Sequence, residues 1–513
     1  MANSRTKNTI LNSIFGMLGY ISVIVVSFLL RKVLAVTLGA EYLGLISLYT
    51  NIVSFLSLTE LGLSTAIIYF LYKPISENDE GKIRAYLSFY KKVYFVIAAV
   101  IMLLGAALIF VVPFVANTTV EMKKVQFYFI LYVFNTAVSY LIAYKKCIIY
   151  ADQRSRAVSV CHAVTKIAFT GLQIAVLLLT KSFFGFIVLM IACTVADNLS
   201  CAIYADKKYP FINKKSDEKL SKDELREIFR KMFPIALQSL AGYVVTSTDS
   251  LIISASYLGT VIVGYYSNYT LVSTTLKSLY GQVFAAFTTS FGNLSVTEKK
   301  ETAFDVYEKS VYAAFCMTCC MTACFFALIN PFVRLCFGAD YVLGVEIAAL
   351  VCASFYVTAM NVPAVSVQNA LGLHFKDAWV MLVQGALNLV LSLVLLNYIG
   401  LAGVIVGTIA STLLCPFFSK DYVICKHFFG KSPVKIYLWQ LYYAVITASA
   451  SALCYFVCNV WLNLGGWGGL ILLGVIALFT SMAIAVAFTF FTDKFRYLVG
   501  LAARLIKRRK KGE

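Results

Sequence analysis

The sequence predicts an all-α polytopic membrane protein whose chain crosses the bilayer in 14 helices. Three observations carry that prediction. The 513 residues are 60% hydrophobic and 13% charged, whereas a soluble globular protein is typically about 25% charged. The apolar residues come in runs of about 20, the length that crosses a hydrocarbon core about 30 Å thick. The basic residues are placed with a strong asymmetry between alternate loops. An ordinary cytosolic enzyme is excluded by the low charge, and disorder by the high hydrophobicity. Strands are excluded because open sheet edges cannot face lipid and the runs are too long for barrel strands.

The segment 1–9 is polar, with Arg5 and Lys7, and a long apolar run follows. A signal-peptide core is only about 7–15 residues long, so this run is read as an uncleaved first span. The spans fall near 10–36, 44–69, 87–112, 125–146, 157–180, 183–205, 233–256, 262–291, 308–332, 345–371, 378–398, 401–424, 437–461 and 468–491. With the N-terminus inside, 36 of the 44 Lys and Arg residues lie on inner loops and tails, against 6 on the outer side. That excess fixes the direction by the positive-inside rule and puts both termini in the cytoplasm. The net charge of +19 is therefore topological and suits an anionic leaflet, with anionic lipids as partners. Nucleic acid is not an expected partner.

Between spans 6 and 7 lies the largest inner loop, where Ser221-Lys-Asp-Glu224 has the form of a capping box opening a helix. After Thr492, Phe495, Leu498, Leu501, Ala502 and Leu505 recur at helical spacing among Arg496, Arg504 and the basic run 507–511. This tail reads either as a helix lying on the inner surface or as a plain topogenic basic tail. The 14 cysteines lie almost entirely in apolar runs, which is not the spacing of a disulfide framework. Cys316, Cys319, Cys320 and Cys324 share one apolar helix without an acid or histidine and read as packing residues, not a metal site.

An internal repeat divides the chain. Leu38-Gly-Ala-Glu-Tyr-Leu-Gly-Leu-Ile-Ser-Leu-Tyr-Thr50 aligns without gaps to Leu258-Gly-Thr-Val-Ile-Val-Gly-Tyr-Tyr-Ser-Asn-Tyr-Thr270, at a constant offset of 220. Both copies fall at the outer turn between the first two spans of a half. Six spans separate them, so the repeat is parallel, with its axis along the membrane normal. The expected organisation is an N-lobe over 1–205, an inter-lobe loop over 206–232, a C-lobe over 233–425, two extra spans over 436–491 and the tail over 492–513. Two parallel six-helix lobes around a central polar chamber follow from that arrangement.

The stretch LGAEYLGLISLYTNIVSFLSLTELGLSTAIIYFLYKP from Leu38, followed by a charged inner loop, resembles the polysaccharide transporter branch of the multidrug/oligosaccharidyl-lipid/polysaccharide (MOP) exporter superfamily. Thr248-Asp249, Asn369-Ala-Leu-Gly-Leu373 and Gly400-Leu-Ala-Gly-Val-Ile-Val-Gly-Thr408 add to the resemblance, which covers essentially the whole chain. It implies a MATE-like fold and a flippase, not an enzyme, in the bacterial cytoplasmic membrane. The cargo implied is a lipid-linked oligosaccharide on an undecaprenyl pyrophosphate carrier, moved to the outer leaflet for surface polysaccharide synthesis. Alternating access driven by an ion gradient is implied, with H+ or Na+ as the coupling ion and no other cofactor. Other polysaccharide assembly proteins are implied partners.

Ionisable residues inside spans are expensive and are functional candidates by default. Seven stand out, the basic Arg31, Lys32, Lys166 and Lys277 and the acidic Glu60, Asp197 and Asp249. The basic four are candidates for the anionic head group, although Arg31 and Lys32 lie near an interface and also suit snorkelling. The acids are candidates for gating and ion coupling. Under the 220 offset Arg31 and Asp249 share a depth, as do Glu60 and Lys277. They are therefore candidate latches at the two ends of a cleft. Tyr265, Tyr266, Tyr269 and Tyr280 on span 8 are candidates for glycan contact, while most tyrosines fit interfacial belts. Asn51, Asn135, Asn268, Asn361, Gln368 and Asn388 read as neutral ligands or as inter-helix bonds. His162, His374 and His427 read as scattered single residues.

Two other readings stand within the superfamily, a MATE-type multidrug or cation antiporter and a lipid II flippase. The antiporter needs an acidic cavity, and four in-span bases against three acids lean the other way. A glycosyltransferase or glycan polymerase needs catalytic acids on sizeable outer loops, and the outer loops are short.

Overall fold

The structure, a computed structural model, describes residues 2–57, 63–214, 218, 220–373 and 376–500. Among them no strand occurs. The helices in order are α1 (Ala2–Leu38), α2 (Ala40–Leu56), α3 (Leu63–Glu77), α4 (Glu80–Leu108), α5 (Val112–Val115), α6 (Met122–Ala143), α7 (Lys146–Ala151), α8 (Ser155–Thr180) and α9 (Phe183–Lys208). They continue as α10 (Lys222–Ala255), α11 (Gly259–Thr297), α12 (Lys300–Phe337), α13 (Val345–Met360), α14 (Val362–Leu371), α15 (Ala378–Ile399), α16 (Leu401–Thr412), α17 (Phe418–Ile424), α18 (Val434–Tyr455) and α19 (Gly466–Thr489). Eleven segments of the described residues are long and apolar enough to cross a membrane. α2 with α3, α10 and α11 occupy the positions of expected spans 2, 7 and 8, so the count of 14 is compatible with the structure. α4, α10 and α12 begin about two to three turns before their apolar spans. α10 opens with the expected capping box. Ser221 Oγ accepts from the Glu224 N–H, and the Glu224 carboxylate accepts from the Ser221 N–H at 2.8 Å. The last described residue is Gly500, so most of the expected amphipathic tail lies outside the described residues.

The chain forms two compact units, Met1–Gly264 and Tyr265–Glu513, the division falling inside α11. In the first unit α1 packs along α8, α8 along α9, α9 along α6 and α6 along α4, while α10 packs on α2. The two repeat copies meet inside this unit. Gly39 and Gly259 have φ of 87° and 70°, left-handed turns that favour glycine. Gly44 and Gly264 are needed for a different reason. A Cβ on Gly44 would lie 1.8 Å from the Thr260 carbonyl oxygen, and one on Gly264 would lie 2.0 Å from that of Ala40. Each glycine thus faces the residue four positions before the other, a reciprocal small-residue crossing of α2 and α11.

The segment after α5 ties both copies together. The Asn117 carbonyl accepts from the Thr260 N–H at 2.9 Å, and the Asn117 side-chain amide donates to the Ser256 carbonyl at 3.0 Å. Next to it, the Thr119 hydroxyl donates to Glu41 at 2.7 Å, with the Thr118 hydroxyl and the Thr119 N–H each at 2.5 Å. Burial alone raises the pKa of Glu41, but these three donors hold it below the usual carboxylate value.

In the second unit α12 is central and packs against α13, α18 and α19. α15 and α16 form a tight hairpin because Gly403 and Gly407 let backbones approach. A Cβ on Gly403 would lie 2.3 Å from the Leu395 carbonyl, and one on Gly407 would lie 2.8 Å from the Ser392 nitrogen. Asn388 donates across this hairpin to the Thr408 hydroxyl at 2.9 Å, an inter-helix bond of the kind that holds membrane helices together.

Candidate functional site

A cavity of about 360 Å³ opens within the first unit, lined from α4, α6, α7, α8 and α9. Polar groups of its wall bond from helix to helix, as polar groups in an apolar surround require. Asn198 donates to the Ser139 carbonyl at 2.9 Å, which binds α9 to α6, and Gln173 donates to the Phe186 carbonyl at 3.3 Å, which binds α8 to α9. Asp197 projects from α9. Lys146, at the start of α7, donates to its Oδ2 at 2.8 Å, and the Thr165 hydroxyl donates to its Oδ1 at 3.4 Å. His162 Nδ1 lies 3.5 Å from Asp197 Oδ1.

Lys166 lines the same cavity one turn along α8 from His162. Among the described residues no carboxylate pairs with it. The cavity thus holds two lysines and one histidine against a single carboxylate, and that carboxylate is already engaged. Lys166 is thus the lysine of this wall without a carboxylate partner among the described residues, while Lys146 is paired with Asp197.

The other expected site residues are placed as follows. Arg31 and Lys32 are half-buried near the end of α1, and Asp249 is buried on α10. Arg31 and Asp249 each have interacting neighbours. Glu60 lies outside the described residues. Lys277, on α11 in the second unit, is half-buried and also has an interacting neighbour. Tyr265 sets its ring 5.2 Å from that of Tyr341. Tyr266 is buried. Tyr269 is fully buried, donating to Asn330 Oδ1 at 2.7 Å and accepting from the Leu343 N–H at 2.9 Å. Tyr280 is buried against Phe284, with ring centroids 4.8 Å apart.

Two groups escaped the sequence reading. His162 is not a scattered single residue, because it shares Asp197 with Lys146. Lys146, counted as an inner-loop charge, is a wall of the cavity. In the second unit the chain also buries charges that loop counting had assigned to the surface. Lys420 pairs with Asp377 at 3.4 Å and donates to Gln368 at 3.1 Å, with all three buried. Glu308 pairs with Lys435 at 3.0 Å.

The sequence profile of the polysaccharide biosynthesis protein family matches residues 6–291. The chain belongs to that family. Comparison with curated proteins finds no match. Solved structures of the MOP superfamily share the fold. An inward-facing multidrug resistance MATE family transporter matches with a TM-score of 0.63 and 14% identity, over 81% of this chain and 98% of that one. The lipid II flippase MurJ in an inward closed conformation matches with a TM-score of 0.61 and 14% identity, over 96% of this chain and 100% of that one. A MOP superfamily transporter from Pyrococcus furiosus, described as having a binding pocket of reverse polarity, matches with a TM-score of 0.56 and 14% identity, over 82% of this chain and 96% of that one. The family resemblance and the MATE-like fold read from the sequence are thereby borne out. The 96% match leaves no room to omit α18 and α19, so the helices beyond the repeat also have counterparts in that fold.

Proposed function

We propose that this member of the family is a flippase that carries a lipid-linked oligosaccharide across the bacterial cytoplasmic membrane for surface polysaccharide synthesis. Its carrier is an undecaprenyl pyrophosphate, and it works by alternating access coupled to H+ or Na+. The observation that carries this reading is the cationic cavity of the first unit, where Lys166 has no carboxylate partner among the described residues and Lys146 is held in reserve by Asp197. A diphosphate head group suits that wall. When it takes Lys146, Asp197 is released beside His162 and becomes available for a coupling proton. An organic-cation antiporter fits the site less well, since the one acid in this cavity is already neutralised.

On this reading the crossing of Gly44 with Thr260 and of Gly264 with Ala40 is the closed outer gate, strapped by Asn117, Thr118 and Thr119. Arg31 and Asp249 act near it. The test is a deletion strain. Lipid-linked repeat units accumulate on the inner leaflet and surface polysaccharide disappears, and the wild-type gene restores both. Intact surface polysaccharide together with new sensitivity to cationic dyes overturns the reading in favour of a drug exporter.

A further inference from the structure

We infer that Asp421, buried in the second unit far along the chain from the cavity lysines, is a proton-binding site and carries a proton in this conformation. Its side chain has no exposed surface. Two neutral groups hold it: Tyr307 of α12 donates to Oδ1, and Gln440 of α18 donates to Oδ2 at 2.8 Å. A buried carboxylate is normally paired with a cation or neutralised, and here every nearby lysine is committed elsewhere. Its own neighbour Lys420 points to Asp377 and Gln368. Lys435 and Lys494 pair with Glu308 at 3.0 and 3.9 Å. Lys426 donates to the Tyr422 hydroxyl at 2.6 Å, and Lys431 lies 4.1 Å over the Phe304 ring. The other titratable groups that feel Asp421 are the thiol of Cys425 and the phenol of Tyr437. Neither can supply positive charge.

The Gln440 amide can serve either protonation state of Asp421. Gln440 Oε1 is buried and has no hydrogen-bond partner among the described residues. The two ends of a side-chain amide are interchangeable in shape. Turned over, Gln440 accepts a hydrogen bond from the O–H of a neutral Asp421, while Tyr307 still donates to the other oxygen. A neutral Asp421 is thus accommodated by the turn of one amide, which puts the Gln440 N–H groups in place of its oxygen at the unpartnered end.

The element that carries Asp421 is built to respond. α17 is flanked by two π-helical turns, Leu413–Phe417, which contains Pro416, and Cys425–Phe429. Such turns are rare, loosen the regular ladder and are frequent at functional sites. Loss of the proton leaves an unpaired charge in an apolar surround, and α17 must shift to bring it to water. Asp421 thus links proton release to movement of α17.

The experiment reads the carboxyl directly, so it stands or falls apart from the flippase reading. Infrared spectra of the purified full-length protein are recorded at neutral pH in light and heavy water, with and without sodium chloride. The expected result is a protonated-carboxyl C=O band above the amide band, shifted by deuterium, insensitive to sodium and lost in Asp421→Asn. A band of unchanged intensity in Asp421→Asn overturns the inference. So does a wild-type band that disappears on adding sodium, which marks a cation site. If Asp421→Asn does not fold, Tyr307→Phe removes one donor and shifts the band in frequency, and an unshifted band overturns the assignment equally.

Discussion

Gly44→Ala tests the closest backbone approach in the first unit. The added methyl would sit 1.8 Å from the Thr260 carbonyl oxygen and 3.2 Å from the Gly264 nitrogen. Both are main-chain atoms, so no side-chain rotation relieves the overlap. A carbon normally rests about 3.3–3.6 Å from a carbonyl oxygen, so the two backbones must part by about 1.5 Å or more. Overpacking of this kind costs about 1–3 kcal/mol. If the crossing exists only when the outer end is shut, that cost falls on the shut state alone and shifts the balance toward open by about 5–150-fold. The assay uses Thr260→Cys, at a position that is buried in this structure, in a background whose native cysteines do not react. An impermeant maleimide labels it slowly in the parent and at least five-fold faster after Gly44→Ala. Gly171→Ala, where a Cβ meets nothing within 4 Å, is the control and leaves the rate unchanged. Equal labelling rates in Gly44→Ala and the control, with transport intact, would refute the argument that this crossing is a gate.

Three further outcomes are expected. Lys166→Met lowers the affinity of the purified protein for geranylgeranyl diphosphate by about 10–150-fold, the worth of one hydrogen bond to a charged group, while Lys166→Arg retains most of it; titration calorimetry reads the difference. Asp197→Asn removes the competitor for Lys146, so diphosphate binds more tightly while turnover in a complemented deletion strain falls. Glu41→Gln weakens the strap from Thr118 and Thr119, and hydrogen exchange at the Thr119 amide accelerates. Because the carboxyl of Glu41 is held below its ordinary pKa, the strap's contribution is present above the unfolded value and is lost as pH falls through the folded one. The wild-type exchange rate therefore approaches that of the variant in acid.

The fold was largely legible because membrane helices announce themselves by composition, and their order leaves few alternatives. The repeat was legible for a physical reason that the structure supplies. Gly39 and Gly259 take left-handed turns and Gly44 and Gly264 take a main-chain contact, so four positions tolerate only glycine without strain and keep their spacing visible. Helix ends were less legible. α4, α10 and α12 start in polar sequence before the apolar run, and a capping box, not hydropathy, marks one of them.

The site was legible only in part, and the missing part has one cause. Lys146, Lys420 and Lys435 were counted as loop charges that orient the chain, and they do lie near helix ends. Orientation depends on the charge alone, whereas chemistry depends on which group each charge meets. Lys146 meets an acid 51 residues away, and Lys435 one 127 residues away, separations that helical periodicity cannot register. Lys420 and Asp421 are adjacent in sequence and would pass for an exposed pair that cancels. On α17 they meet different partners instead, Lys420 reaching Asp377 and Asp421 accepting from Tyr307. The same two residues thus give one paired charge and one isolated acid. That split, invisible to any tally of charges, is what sets Asp421 apart from the other acids of the second unit.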